Sequence, residues 1–206
     1  MSNSFRTQKP AAAARRRLRR DEEGLVVLPR IVSRRPRRGD HHPLSAQTLR
    51  RVLRREVPVE YLNGLKRIEL RPRVSDVVGE PFACYLKGEK VIILYSLPRS
   101  WSWSSQVSAD LIDKMRRFFA VITECPAGVQ VEWPAAEVLS MWYFVEVFAH
   151  ELGHHYRTQY RIRRGSSRRR RHEEFVAELH SGRFYNALLA RIRTRRLQSA
   201  PPPEAP

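Results

Sequence analysis

Apolar positions recur along the chain in two rhythms, and each predicts its own kind of element. Lys66–Arg73 alternates Ile68 and Leu70 with charged residues, which predicts a half-buried strand. Phe82–Leu86 and Val91–Tyr95 flank Lys87-Gly88-Glu89-Lys90, a short glycine-containing turn, and predict a hairpin. Val129–Trp133 reads as a further short strand before Pro134. Helical spacing governs the rest. Ser45–Arg55 predicts a short helix with Ser45 as N-cap, Leu49, Val52 and Leu53 on one face and Pro58 closing it. Val107–Glu124 carries Leu111, Ile112, Met115, Phe118, Phe119 and Ile122 three and four residues apart, so a helix is expected until Pro126-Ala127-Gly128 breaks it. From Ala135 to about Gln159, Leu139, Met141, Trp142, Phe144, Val145, Val147, Phe148 and Leu152 leave almost no polar face. A helix of that kind belongs at the centre of its domain. A last helix, roughly 172–195, is expected to bury Phe175, Val176, Leu179, Phe184, Leu188 and Leu189. Strands and helices together place the chain in the α+β class.

Charge divides the same chain differently. The 206 residues carry a net charge of +18, and 34 of the 39 basic residues are arginine. Residues 1–58 hold +11, 59–160 hold −1 and 161–206 hold +8. This excludes a uniformly basic, histone-like particle and suggests a nearly neutral globular centre with basic appendages. Residues 1–43 contain arginine clusters at 15–20 and 34–38 and one short apolar stretch, Leu25–Leu28. That is too little apolar surface to offset the entropy of ordering, so a disordered basic arm is expected there. The proline-rich residues 198–206 are expected to be a disordered tail, leaving 44–197 as one domain.

The two cysteines, Cys84 and Cys125, exclude a disulfide-dense scaffold and a cysteine-ligated structural zinc site, and are expected to be buried free thiols. No run of about 18 apolar residues is present to span a membrane. The basic N-terminus has no apolar core of a secretory signal, so a cytoplasmic location is expected. Its acid-free first twenty residues are also compatible with an organellar transit peptide.

Chemistry concentrates in the apolar helix, at His150-Glu151-Leu152-Gly153-His154. Residues four apart on a helix lie one turn apart on one face, so both imidazoles can point at one ion. Glu151 is rotated by about 100° from His150. Its carboxylate is thereby placed beside a metal-bound water, where a zinc hydrolase needs a general base. With this histidine and glutamate content, the pattern arises by chance roughly 0.02 times in such a chain. Catalytic zinc usually takes a third protein ligand. Arg157 and Tyr160 stand where the HExxHxxGxxH continuation requires Gly and His. Glu174 is the favoured third ligand over Glu173, His172 and Glu178, because Glu174-Phe175-Val176-Ala177-Glu178 puts two carboxylates a turn apart on the next helix. One can bind metal while the other receives the free N–H of a ligand imidazole.

HELGH, a gap of about twenty residues and then EFVAE resemble the gluzincin metallopeptidases, the thermolysin-like clan, over about 45 residues. The resemblance implies Zn2+ held by His150, His154 and Glu174, Glu151 as general base and Glu178 as the acidic residue that orients a ligand histidine. It implies a small single-domain zincin-like fold, in which a twisted, mostly antiparallel sheet packs on the active-site helix and an edge strand, Val129–Trp133 here, aligns an extended peptide. The implied activity is zinc-dependent hydrolysis of peptide bonds in a protein or peptide substrate. No counterpart is expected within these residues for the C-terminal helical domain that supplies an oxyanion-stabilising His or Tyr in larger members, which leaves Tyr156, Tyr160, His180, Arg183 and Tyr185 as candidates.

Other features have plainer readings. His155 points some 100° from His154 and is expected on the helix surface. His41 and His42 are expected to be solvated in the arm, and Trp101 and Trp103 to anchor a loop rather than line a cleft. Arg161, Arg163, Arg164 and Arg168–Arg171 lie between the two ligand-bearing helices. They form either a solvated loop or a site for nucleic acid or an acidic partner. The alternative function is accordingly a nucleic-acid-associated protein with Arg-rich arms and a structural or regulatory zinc site; a hybrid is a protease delivered by those arms. No apparatus for sequence-specific base reading is visible.

Overall fold

The structure is a computed structural model that describes residues 28–74, 81–103, 107–126 and 128–159, together with 174, 175, 177–179, 181–183 and 186 of the last helix. Strands β1 (Arg30–Ser33), β2 (Arg67–Arg71), β3 (Ala83–Leu86) and β4 (Val91–Tyr95) form one sheet in the order β1-β2-β4-β3. β1, β2 and β4 run parallel, and β3 closes one edge antiparallel to β4 across the expected turn. Strands β5 (Ser100–Trp103), β6 (Val121–Cys125) and β7 (Gly128–Glu132) form a second, antiparallel sheet in the order β5-β7-β6.

The α+β class holds, while the expected mostly antiparallel sheet is corrected: two of the larger sheet's three ladders are parallel. Parallel pairing needs a long crossover. The connection from β1 to β2 supplies it in two helices, α1 (Ala46–Arg55) and α2 (Val59–Leu62). Ser45 caps α1 as expected, its hydroxyl accepting from the Thr48 N–H at 3.0 Å, and Leu49 and Leu53 are buried. Pro58, expected only to end α1, starts α2.

β1 also corrects the expectation for residues 28–43 of the arm, which are structured. Ser96 donates to Asp40 at 3.1 Å, Arg73 pairs with the same carboxylate at 3.3 Å, and His41 bridges to Leu97 through the backbone. His42 is likewise not a solvated tail residue, since its Nε2 donates to the Arg34 carbonyl at 2.7 Å. Residues 1–27 and 198–206 lie outside the described residues.

The helix expected over Val107–Glu124 is two elements. α3 (Ala109–Arg116), capped by Ser108, stops where Phe119 adopts a left-handed φ of 63°, and β6 follows. Phe118, Phe119 and Ile122 fit a helical stripe, but Val121, Ile122 and Thr123 are β-branched and pair with β7. Phe119 is left 72% exposed. β7 sits between β5 and β6, so Val129–Trp133 is the centre of its sheet and not the expected edge.

The apolar helix runs from Ala136 to Gln159 in three parts: α4 (Ala136–Trp142), a π-helical segment (Tyr143–Phe148) and α5 (Ala149–Gln159). Leu139, Trp142, Tyr143, Phe148 and Leu152 are fully buried, and the same core takes Ile68, Leu70, Ile92 and Leu94 from the larger sheet. Burying each such side chain contributes about 1.5–3 kcal/mol. Trp101 and Trp103 do anchor β5, meeting Phe82 and Trp133 in an aromatic cluster that includes Trp142. Both cysteines are free; Cys84 is half-buried and Cys125 exposed, against the expectation that both are buried. No helix among the described residues is long and apolar enough to cross a membrane.

Candidate metal centre

The sequence places His150 and His154 one turn apart on α5, and burial of the surrounding turns fixes where that face looks. Ala149, Glu151, Leu152 and Gly153 are buried, while the two imidazoles open toward the last helix. Their Nε2 atoms lie 3.0 Å apart, and Glu174 Oε2 lies 3.2 Å from the first and 3.6 Å from the second. The three residues expected as ligands therefore converge, as the group among the described residues that could hold a metal ion. A tetrahedral ion with bonds of about 2.0–2.1 Å separates its ligands by about 3.3 Å. The observed triangle brackets that value, and its two imidazole nitrogens and one carboxylate oxygen suit zinc. Burial, and next the neighbouring His154, lowers the His150 pKa against the opposing pull of Glu174 and Glu178. The neutral imidazole that results is the form able to bind metal.

Glu151 lies behind the triangle, 9% exposed. Burial, then the charge of Glu174, pushes its pKa up to about 7 against a hydrogen bond from the Tyr85 backbone on β3. A carboxylate of that acidity can take and release a proton near neutral pH.

Three features of the last helix, one of them outside the sequence motifs, hold the arrangement. Ser181 donates to the Val145 carbonyl in the π-helical segment, where the wider turn makes a carbonyl available. Ala177, fully buried, lets the last helix approach closely. Glu178, expected against a ligand imidazole, is instead engaged by Lys114 of α3 at 2.7 Å. Phe175 and Leu179 are 57% and 48% exposed rather than buried, and among the described residues the inward side of this helix is made of Ala177 and Ser181. Neither the close approach at Ala177 nor the Ser181 tether is among the expectations from the sequence, where EFVAE stands only for its two carboxylates.

His155 is the clearest residue that spacing misplaced. It is fully buried: Nε2 donates to the Asn63 carbonyl at 3.1 Å, which fixes the tautomer so that Nδ1 accepts from the Tyr85 hydroxyl at 3.0 Å. Burial drives its pKa down to about 4. Of the oxyanion candidates, Tyr156 stacks on Tyr61 at 4.5 Å and Arg183 hydrogen-bonds Tyr61. Tyr160, His180, Tyr185 and the arginines of 161–171 lie outside the described residues, as do Val176, Phe184, Leu188 and Leu189. No family model, curated protein or solved structure matches the chain.

Proposed function

We propose that the chain is a zinc-dependent metallopeptidase, and the observation that carries this reading is the 3.0, 3.2 and 3.6 Å triangle of His150, His154 and Glu174 beside a buried Glu151. Zinc bound there supplies Lewis acidity, polarising a carbonyl and lowering the pKa of water. The remaining work falls to the chain. His150 and His154 present neutral Nε2 atoms, and Glu174 adds the carboxylate that completes the donor set. Glu151 takes the proton from the attacking water on its carboxylate and delivers it to the leaving amine nitrogen.

β3 supports a peptide as substrate. It is an edge of the larger sheet and packs beside α5. The Tyr95 N–H bonds the Phe82 carbonyl, so alternation along the ladder turns the backbone of Ala83 and Tyr85 toward the open edge. The Tyr85 N–H already meets Glu151 there. An extended peptide adding to this edge lies along the general base.

The test is Glu151→Gln, assayed for zinc content and for digestion of a peptide library with and without chelator. One equivalent of zinc should remain while hydrolysis falls by about 10²–10⁴-fold. Undiminished turnover removes Glu151 from the mechanism, and an unaltered protein that takes up no zinc ends the ligand assignment.

A further inference from the structure

A second concave feature lies away from the histidines. At the C-terminal ends of β1, β2 and β4, an open cleft of about 450 Å3 is lined by Arg34, Arg35, Arg37, Arg71, Arg73 and Tyr95. Three of the arginines come from the turn after β1 and two from the end of β2 and just beyond it. Arg71 and Tyr95 are paired in register and share a face of the sheet with Glu69 and Ile93. Ile68, Leu70, Ile92 and Leu94 occupy the other face and pack in the helical core, so the cleft opens on the side away from α5.

The guanidiniums are positioned rather than merely clustered. Arg71 is held by the buried Glu69 at 2.6 Å and Arg73 by Asp40 at 3.3 Å, while Arg37 donates to the Val74 carbonyl. Arg34 and Arg35 are exposed and held by no carboxylate among the described residues. Guanidinium forks match phosphate oxygens in pairs. Five guanidiniums, two of them already paired with Glu69 and Asp40, still exceed what one small anion needs. A polymer with charge at every repeat fits that distribution, and half-buried Tyr95 in the lining places beside the arginines the kind of side chain on which bases stack. The cleft is open and sets an aromatic side chain beside the arginines, a combination that suits a splayed single strand, whose bases are free to stack.

We propose that this cleft binds the phosphodiester backbone of single-stranded nucleic acid, with Arg34 and Arg35 on phosphates and Tyr95 against a base. The site is independent of the metal reading, and Glu151→Gln should leave it intact.

The experiment compares the full chain with Arg34→Ala/Arg35→Ala and with Tyr95→Leu. Anisotropy of labelled oligo-dT and oligo-U is read over about 50–200 mM salt. The double variant should bind about tenfold more weakly, with a log–log salt slope shallower by about 1.4, two contacts at about 0.7 each. Tyr95→Leu should weaken binding about tenfold and leave the slope unchanged, since stacking releases no counterions. Photo-crosslinking with a 4-thiothymidine oligonucleotide should mark residues 34–37 or 71–74, which separates the cleft from the basic arm. Unchanged affinity and slope in the double variant, crosslinks confined to residues 1–27 and 160–171, tighter binding of a duplex or of polyglutamate, or no binding at all would each overturn the proposal.

Discussion

The two helices that bring the donors together are held in opposite ways. α5 is fastened on nearly every side: Leu152 and Gly153 in the core, His155 between Tyr85 and Asn63, and Tyr156 stacked on Tyr61. The last helix has an exposed outer face, with Phe175, Glu174 and Glu178 all more than half exposed, and among the described residues is attached through Ala177, the Ser181 hydroxyl, the Lys114 ion pair and the Arg183–Tyr61 hydrogen bond. The histidine pair is thus formed by folding itself, whereas the third ligand rests on a few polar tethers. Core packing resists change because any lost methylene is felt, while surface ion pairs contribute little. Substitutions on the two sides should therefore fail differently, one in stability and the other in metal affinity.

The largest effect belongs to His155. Its folded pKa, about 4, lies below the ordinary 6.5, so the unfolded chain takes up the proton first as pH falls. The stability it contributes is complete above pH 6.5 and is lost progressively down to pH 4, by about 3 kcal/mol. Urea unfolding of chelator-treated protein at several pH values should show this loss in the wild type. In His155→Gln, whose amide can still bridge Asn63 and Tyr85, the loss should be smaller by that amount. Parallel pH profiles would mean that His155 titrates as freely folded as unfolded.

Ala177→Leu tests the other side. A leucine has no room at a fully buried alanine, so the last helix must shift, and Glu174 with it. Zinc affinity should fall about 10–100-fold. The chelated protein's unfolding should move by no more than about 1 kcal/mol, because the helix gives way locally before the core does. Equal losses in both measurements would show that the last helix is as much a part of the cooperative core as α5.

Legibility in the sequence followed the same divide. HELGH was readable because the geometry of residues four apart on a helix is local, and EFVAE for the same reason. Partners distant in sequence were not. β1 is four residues flanked by arginine, and only its parallel pairing with β2, more than thirty residues away, makes it a strand. The split of 107–124 into α3 and β6 was hidden because Phe118, Phe119 and Ile122 satisfy a helical period until β7 claims the β-branched residues. His155 was misplaced because an angle measured from His154 assumes that the opposite face of α5 meets solvent, and here it meets β3 and α2.

The smallest effect should discriminate most finely. Lys114 holds Glu178 at 2.7 Å and Asp110 at 2.8 Å, and these bonds outweigh its burial and hold its pKa above the usual value. Glu178 is half exposed, so Lys114→Met should cost no more than about 1 kcal/mol in stability and a few-fold in zinc affinity. If the pair is only a tether, Glu178→Gln should match Lys114→Met in affinity, and the double variant should be no worse than either, since the interaction can be lost only once. If Glu178 loses zinc affinity tenfold or more beyond Lys114, its carboxylate must reach a ligand imidazole once metal is bound, which is the orienting role that the EFVAE resemblance implies. The comparison therefore decides whether the second carboxylate of that motif serves the helix or the ion.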